Sequence, residues 1–121
     1  MRAMVLGALV MAGAIAMAAC SGSPVSCPAS VAPAVFVTVR DSVTNALVGR
    51  GSRIIARDGA FADTARTSTY DGTYGLADER SGTYAVTVEQ QGYRSWSLQG
   101  VSVTRGECHV RTASLTARLQ R

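Results

Sequence analysis

From Val35 to Leu119 the chain is broken into short runs by Gly or Asp-Gly at roughly 8–12-residue intervals, and the runs alternate apolar with polar side chains. Successive side chains of a strand point to opposite faces, so alternation of period two marks a segment with one face in a core and one in water. Val35, Val37 and Val39 share one face, with Phe36 and Thr38 on the other. Asp41 to Asn45 reads as a turn, because Asp, Ser and Asn bond their own backbone. Gly51–Arg57, with Ile54 and Ile55, predicts a second strand, and Asp58-Gly59 a turn after it. A weak edge strand is expected at Ala65–Thr69, then a turn at Asp71-Gly72. Gly72-Thr73-Tyr74-Gly75-Leu76 is echoed ten residues on by Gly82-Thr83-Tyr84-Ala85-Val86, which reads as two neighbouring strands. Tyr93–Leu98, a short piece at Val101 and Val103, and Cys108–Leu119 complete the series. The eleven Thr and the twelve Val that follow Cys20 suit pleated surfaces, and no window after Pro24 supports a helix. The expected class is an all-β sandwich of about seven strands. Its expected core is Val35, Val37, Val39, Ile54, Leu76, Tyr84, Val86, Val88, Tyr93, Val101, Val103, Leu115 and Leu119.

The first 19 residues have a different character. Sixteen of them are hydrophobic, the exceptions being Arg2, Gly7 and Gly13, so the 47% hydrophobic content of the whole chain overstates that of the rest. One charge, an apolar stretch Val5–Ala16 and the small residues Ala18-Ala19 have the layout of an export signal. Ala18-Ala19-Cys20 resembles a bacterial lipobox, with Met17 where Leu is commonest. That resemblance covers Met1 to Ser23. It implies cleavage before Cys20 and a lipid on its sulfur, giving an exported protein anchored to the membrane through Cys20. Ser21, in place of Asp, implies the outer membrane if the cell has one. An uncleaved membrane helix and an ordinary signal peptide are the alternatives. The first is disfavoured because Ala, seven of residues 3–20, drives insertion weakly. Residues 20–33 then form the acylated cysteine and an uncharged tether with three Pro and four Ser, and 34–121 form the domain.

With Cys20 acylated, Cys27 and Cys108 have one internal pairing left, and an exported protein folds where disulfides persist. A zinc site is disfavoured, since Cys108-His109 with one distant cysteine lacks ligand spacing.

Phe36-Val37-Thr38-Val39-Arg40-Asp41, Gly49, Tyr70-Asp71-Gly72-Thr73-Tyr74, Ser81-Gly82-Thr83-Tyr84-Ala85-Val86 and Gln91-Gly92-Tyr93 together resemble the carboxypeptidase regulatory-like domains, which are transthyretin-like. The resemblance spans Val35–Leu119. It implies a seven-stranded antiparallel Greek-key sandwich serving as an accessory or recognition module. Where that family commonly has Thr-Gly after the first strand, this chain has Thr44-Asn45, and Asn tolerates positive φ. Hydroxyisourate hydrolases share the fold, but their histidines and C-terminal Tyr-Arg-Gly-Ser have no match here.

Chemistry-bearing residues are sparse. His109 is the one histidine, so a Ser-His-Asp arrangement would need it, and no Gly-x-Ser-x-Gly occurs. Asp78 and Glu79 are adjacent in a turn, unlike the facing carboxylates of a glycosidase. Calcium could draw on Asp58, Asp63, Asp71 or Asp78, but turn formation accounts for the Asp-Gly steps. The net charge of +4 is carried by Arg without Lys, and Arg40, Arg50, Arg53 and Arg57 cluster early, a pattern that suits anionic headgroups or wall polymers but equally exposed strand positions. Basic and aromatic residues do not interleave, which argues against nucleic acid. If Tyr93 packs inward, alternation turns Trp96 outward beside Arg94, and Tyr93, Arg94 and Trp96 become the candidate binding surface. The expectation is therefore a non-enzymatic, cofactor-free envelope lipoprotein serving as a protein-interaction or structural module. The alternative is a carbohydrate or cell-wall binding module using Trp96.

Overall fold

The β-branched alternation of the first run folds as expected: in β1 (Val35–Asp41) Val35, Val37 and Val39 are fully buried while Phe36, Thr38 and Arg40 are half-buried. The computed structural model describes residues 26–65 and 72–121. The expected export signal and Cys20 lie outside them. The remaining strands are β2 (Arg53–Asp58), β3 (Phe61–Ala65), β4 (Thr73–Leu76), β5 (Gly82–Glu89), β6 (Trp96–Val103) and β7 (Ala113–Leu119). They form two sheets, ordered β4-β1-β7 and β3-β2-β5-β6. The described residues contain no helix, and the fold is all-β and mostly antiparallel. One pair departs from the antiparallel expectation: β1 and β7 run parallel, from Val35 opposite Ala113 to Asp41 opposite Leu119. β7 enters its sheet from the hairpin beside the chain's own tether, so it starts at the same end as β1.

Val35, Val37, Val39, Tyr74, Leu76, Ala117 and Leu119 from one sheet meet Ile54, Ala56, Tyr84, Val86, Val88, Val101 and Val103 from the other. Each large aliphatic side chain so buried contributes about 1.5–3 kcal/mol relative to exposure. The expected core residues Tyr93 and Leu115 are only half-buried and cover its rim. The echoed Gly-Thr-Tyr segments are not paired strands, as their spacing suggested. β4 and β5 lie in different sheets, and Tyr74 and Tyr84 enter one core from opposite sides. Each hydroxyl reaches a backbone carbonyl: Tyr74 Oη donates to Gly49 O at 2.5 Å and Tyr84 Oη to Arg80 O at 2.6 Å.

Three boundaries differ for local reasons. The Gly59-Ala60 turn, with Gly59 at φ 56°, joins β2 to β3 in two residues, so the edge strand begins at Phe61 rather than Ala65. Residues 66–71 of the expected strand and turn lie outside the described ones. The expected break between Leu98 and Val101 is a bulge inside one continuous β6. Leu98 pairs with Val86 and Val101 with Tyr84, and Gly100 takes up the shift at φ 68°. Finally, β7 begins at Ala113 rather than Cys108, because Gly106 N–H bonds His109 O at 2.8 Å and folds residues 105–110 into a tight loop.

Candidate functional site

Two of the places where polar side chains meet involve residues that the sequence singled out. The first fastens the tether. Cys27 and Cys108 form a disulfide with Cα atoms 5.1 Å apart. Beside it, Ala32 N–H donates to Glu79 Oε1 at 2.8 Å and Val110 N–H to Glu79 Oε2 at 3.3 Å. His109 Nδ1 lies 2.5 Å from Glu79 Oε1. The Ala32 amide and the neighbouring His109 hold the Glu79 carboxyl below its ordinary pKa against an opposing desolvation effect. The Glu79 backbone sits at φ 55°, an uncommon conformation for a non-glycine residue, and its N–H bonds Ala32 O at 2.9 Å. Glu79 thus clasps the end of the tether to the loop before β7. The histidine that stood alone in the sequence serves this clasp, and among the described residues no hydroxyl or thiol is bonded to it.

The second place is the end of the sandwich where the candidate binding residues lie. Ser42 N–H bonds Leu119 O at 2.9 Å, and Arg94 N–H bonds Gln120 O at 2.7 Å. These bonds draw the loop after β1, the segment before β6 and the end of β7 into one corner. Tyr93 is committed to that corner. Its hydroxyl donates to Asp41 Oδ2 at 2.8 Å and accepts from Arg121 Nη2 at 3.2 Å, with the Arg121 guanidinium 5.2 Å from its ring centre. Asp41 also accepts from Val43 N at 2.8 Å and Thr44 N at 2.9 Å. The Thr44 amide, the Tyr93 hydroxyl and the Val43 amide hold its carboxyl far below the usual range. Asn45 closes the turn at φ 61°, standing where glycine is common.

Around the corner from Tyr93 lies a recess of about 370 Å³ lined by Arg94, Ser95, Trp96, Ser97, Arg118 and Gln120. Arg94 and Trp96 thus share a site and Tyr93 does not. Trp96 does not face outward as alternation from Tyr93 implied. The strand starts only at Trp96, which stands opposite the buried Val88 and packs half-buried against the core rim. Directly opposed residues share a face. Arg118 and Gln120 were missed by sequence reasoning. The alternation of β7 turns Arg118 outward, but nothing local says that it meets Arg94.

Arg118 Nη1 donates to the neutral Asn45 Oδ1 at 2.7 Å, and among the described residues the Arg94 guanidinium has no partner. Among the described residues no carboxylate side chain lines the recess. Among the described residues no group of three or more His, Cys, Asp or Glu is placed to hold a metal ion. Of the acids weighed for calcium, Asp58 pairs with Arg80 at 2.9 Å and Asp63 accepts from Ala77 N at 2.8 Å. No protein-family model and no curated protein matches the chain.

Proposed function

We propose that the chain is an exported, non-enzymatic lipoprotein that holds a transthyretin-like β-sandwich at the cell envelope as a protein-interaction or structural module. One observation carries this reading: the covalent tie between the tether and the loop before β7. Cys27 lies seven residues after Cys20 in the sequence, within about 25 Å of extended chain. The disulfide belongs to an oxidising compartment. With Glu79 holding Ala32, it makes a pull on the anchor act on a crosslink and a hydrogen-bonded clasp rather than on the first strand. The sheet orders β4-β1-β7 and β3-β2-β5-β6 support a Greek-key, carboxypeptidase regulatory-like path. Metabolic labelling with a lipid precursor tests the anchor. Label and membrane fractionation should both be lost in Cys20→Ser, and unchanged labelling of that variant would overturn the proposal.

A second reading, carbohydrate binding, is favoured by the recess beside Trp96. It joins an aromatic edge to hydroxyl, amide and guanidinium groups in a volume typical of small-molecule sites.

A further inference from the structure

We infer that the Arg94–Trp96–Arg118 recess takes an anionic saccharide, a sugar bearing a carboxylate or phosphate. The inference rests on the carbohydrate reading of the same recess and assigns the ligand its charge. Charge balance is the first argument. The structure gives several other arginines a carboxylate: Arg53 lies 3.1 Å from Glu89, Arg80 2.9 Å from Asp58 and Arg121 3.5 Å from Asp41. Arg94 and Arg118 have none. Asp41, the acid of this corner, is buried and already holds two amides and Tyr93.

A second, independent observation lies on the neighbouring strand. The parallel register sets Arg40 directly beside Arg118, and like charges so placed repel. The bridging group is neutral: Asn45 accepts Arg40 Nη1 on its backbone oxygen at 2.8 Å and Arg118 Nη1 on its side-chain oxygen. Besides Arg121, which Asp41 holds, three guanidiniums therefore surround one corner with no free side-chain carboxylate among its described residues, and the fold holds them there at a cost in repulsion. A bound anion would relieve it.

The rest of the lining selects among anions. Guanidiniums grip planar carboxylate or phosphate oxygens in pairs. The Ser95 and Ser97 hydroxyls and the Gln120 amide can both donate and accept, as sugar hydroxyls require. The open edge of Trp96 offers an apolar surface for a ring. The concavity is sized for a small ring system rather than for an extended strand.

The test uses the full chain purified in detergent, with the fluorescence of the lone Trp96 and isothermal titration as readouts. Probes are trigalacturonate and glucose 6-phosphate, with maltotriose and inorganic phosphate as controls. The anionic sugars should bind, weakening at least tenfold in Arg94→Ala/Arg118→Ala and on raising salt from 0.05 to 0.5 M. Both arginines are exposed, so the variant should melt with the parent. Equal binding of maltotriose would overturn the charge assignment and leave the carbohydrate reading standing. Equal binding of inorganic phosphate would overturn the saccharide. Silence of all four probes would overturn both, and so would anionic binding undiminished in the double variant.

Discussion

Removing the Cys27–Cys108 bridge should destabilise the domain almost wholly through its unfolded state. The two cysteines are 81 residues apart, and the loop-entropy relation at that length gives about 4.5 kcal/mol. Native-state losses should be small, because the tether is fixed again a few residues later. Ala32 is held by Glu79, Thr112 Oγ1 donates to Pro33 O at 2.6 Å, and Ala113 N–H bonds Ala34 O at 2.8 Å. Cutting the bridge therefore frees residues before Ala32 in the folded protein but the whole loop in the unfolded one. Residual denatured structure lowers the expected figure to about 3–4 kcal/mol. For a domain of this size that is a drop in Tm of roughly 12–30 °C. The comparison is Cys27→Ser/Cys108→Ser against its parent, both carrying Cys20→Ser, by thermal and urea denaturation. The variant should also show a larger urea m-value, since its unfolded chain expands further. A loss under about 4 °C, or one with the m-value unchanged, would refute the assignment to the unfolded state.

Other perturbations follow from single contacts. In Gly49→Ala the new Cβ would lie 2.5 Å from Gly72 Cα and 2.8 Å from Gly72 O, and Gly72 is itself backbone at φ 77° with little room to yield. The expected loss is about 1–3 kcal/mol by urea titration, and a neutral result would contradict the close approach. Tyr74→Phe removes a buried donor from Gly49 O but leaves Ser52 N–H on that carbonyl at 2.9 Å, so about 1 kcal/mol should be lost. Acid should destabilise the fold. Asp41 and Glu79 are both held below their ordinary values of 3.8 and 4.5. They bind protons more weakly folded than unfolded, so their stabilisation is complete above those values and fades as pH falls through the folded ones. Tm should be level from neutrality to about pH 5 and fall below it, more shallowly in Glu79→Gln. A Tm that rises on acidification would contradict the sign. Trp96 should show intermediate acrylamide quenching, between a free indole and a core residue; complete shielding would close the recess to it.

The parts of the fold written in the sequence are those fixed by short-range physics. Alternation placed Val35, Val37 and Val39 inward, and Asp58-Gly59 marked a hairpin because glycine reaches positive φ without a Cβ clash. The phase break between Leu98 and Val101 was visible as an interruption. A bulge and a strand end leave the same trace in one dimension, and the cross-strand partners Val86 and Tyr84 distinguish them. The echo of Tyr74 in Tyr84 shows the converse. Similar residues imply similar burial, and both rings are fully buried. Similarity does not reveal the sheet, because a connecting turn can cross between layers as readily as it can form a hairpin.

The recess was less legible for the same reason. Arg94 and Trp96 stood close together in the sequence, but their partners Arg118 and Gln120 come from β7, whose placement follows from its parallel pairing with β1. That pairing depends on where the tether is fastened. The disulfide and the Glu79 clasp hold the tether against the loop before β7, so β1 and β7 start from one end and both finish at the corner where Arg40 meets Arg118. The Cys27–Cys108 tie and the recess are thereby linked through β1 and β7. The tether is secured at the start of the two strands, and the cationic corner forms where they finish. A ligand held at that corner would bind at the opposite end of the two strands from the point where the disulfide fastens the chain. If the acyl chains seat the first end against the membrane, the corner points away from the surface, which is the arrangement a tethered receptor for a wall or envelope glycan requires.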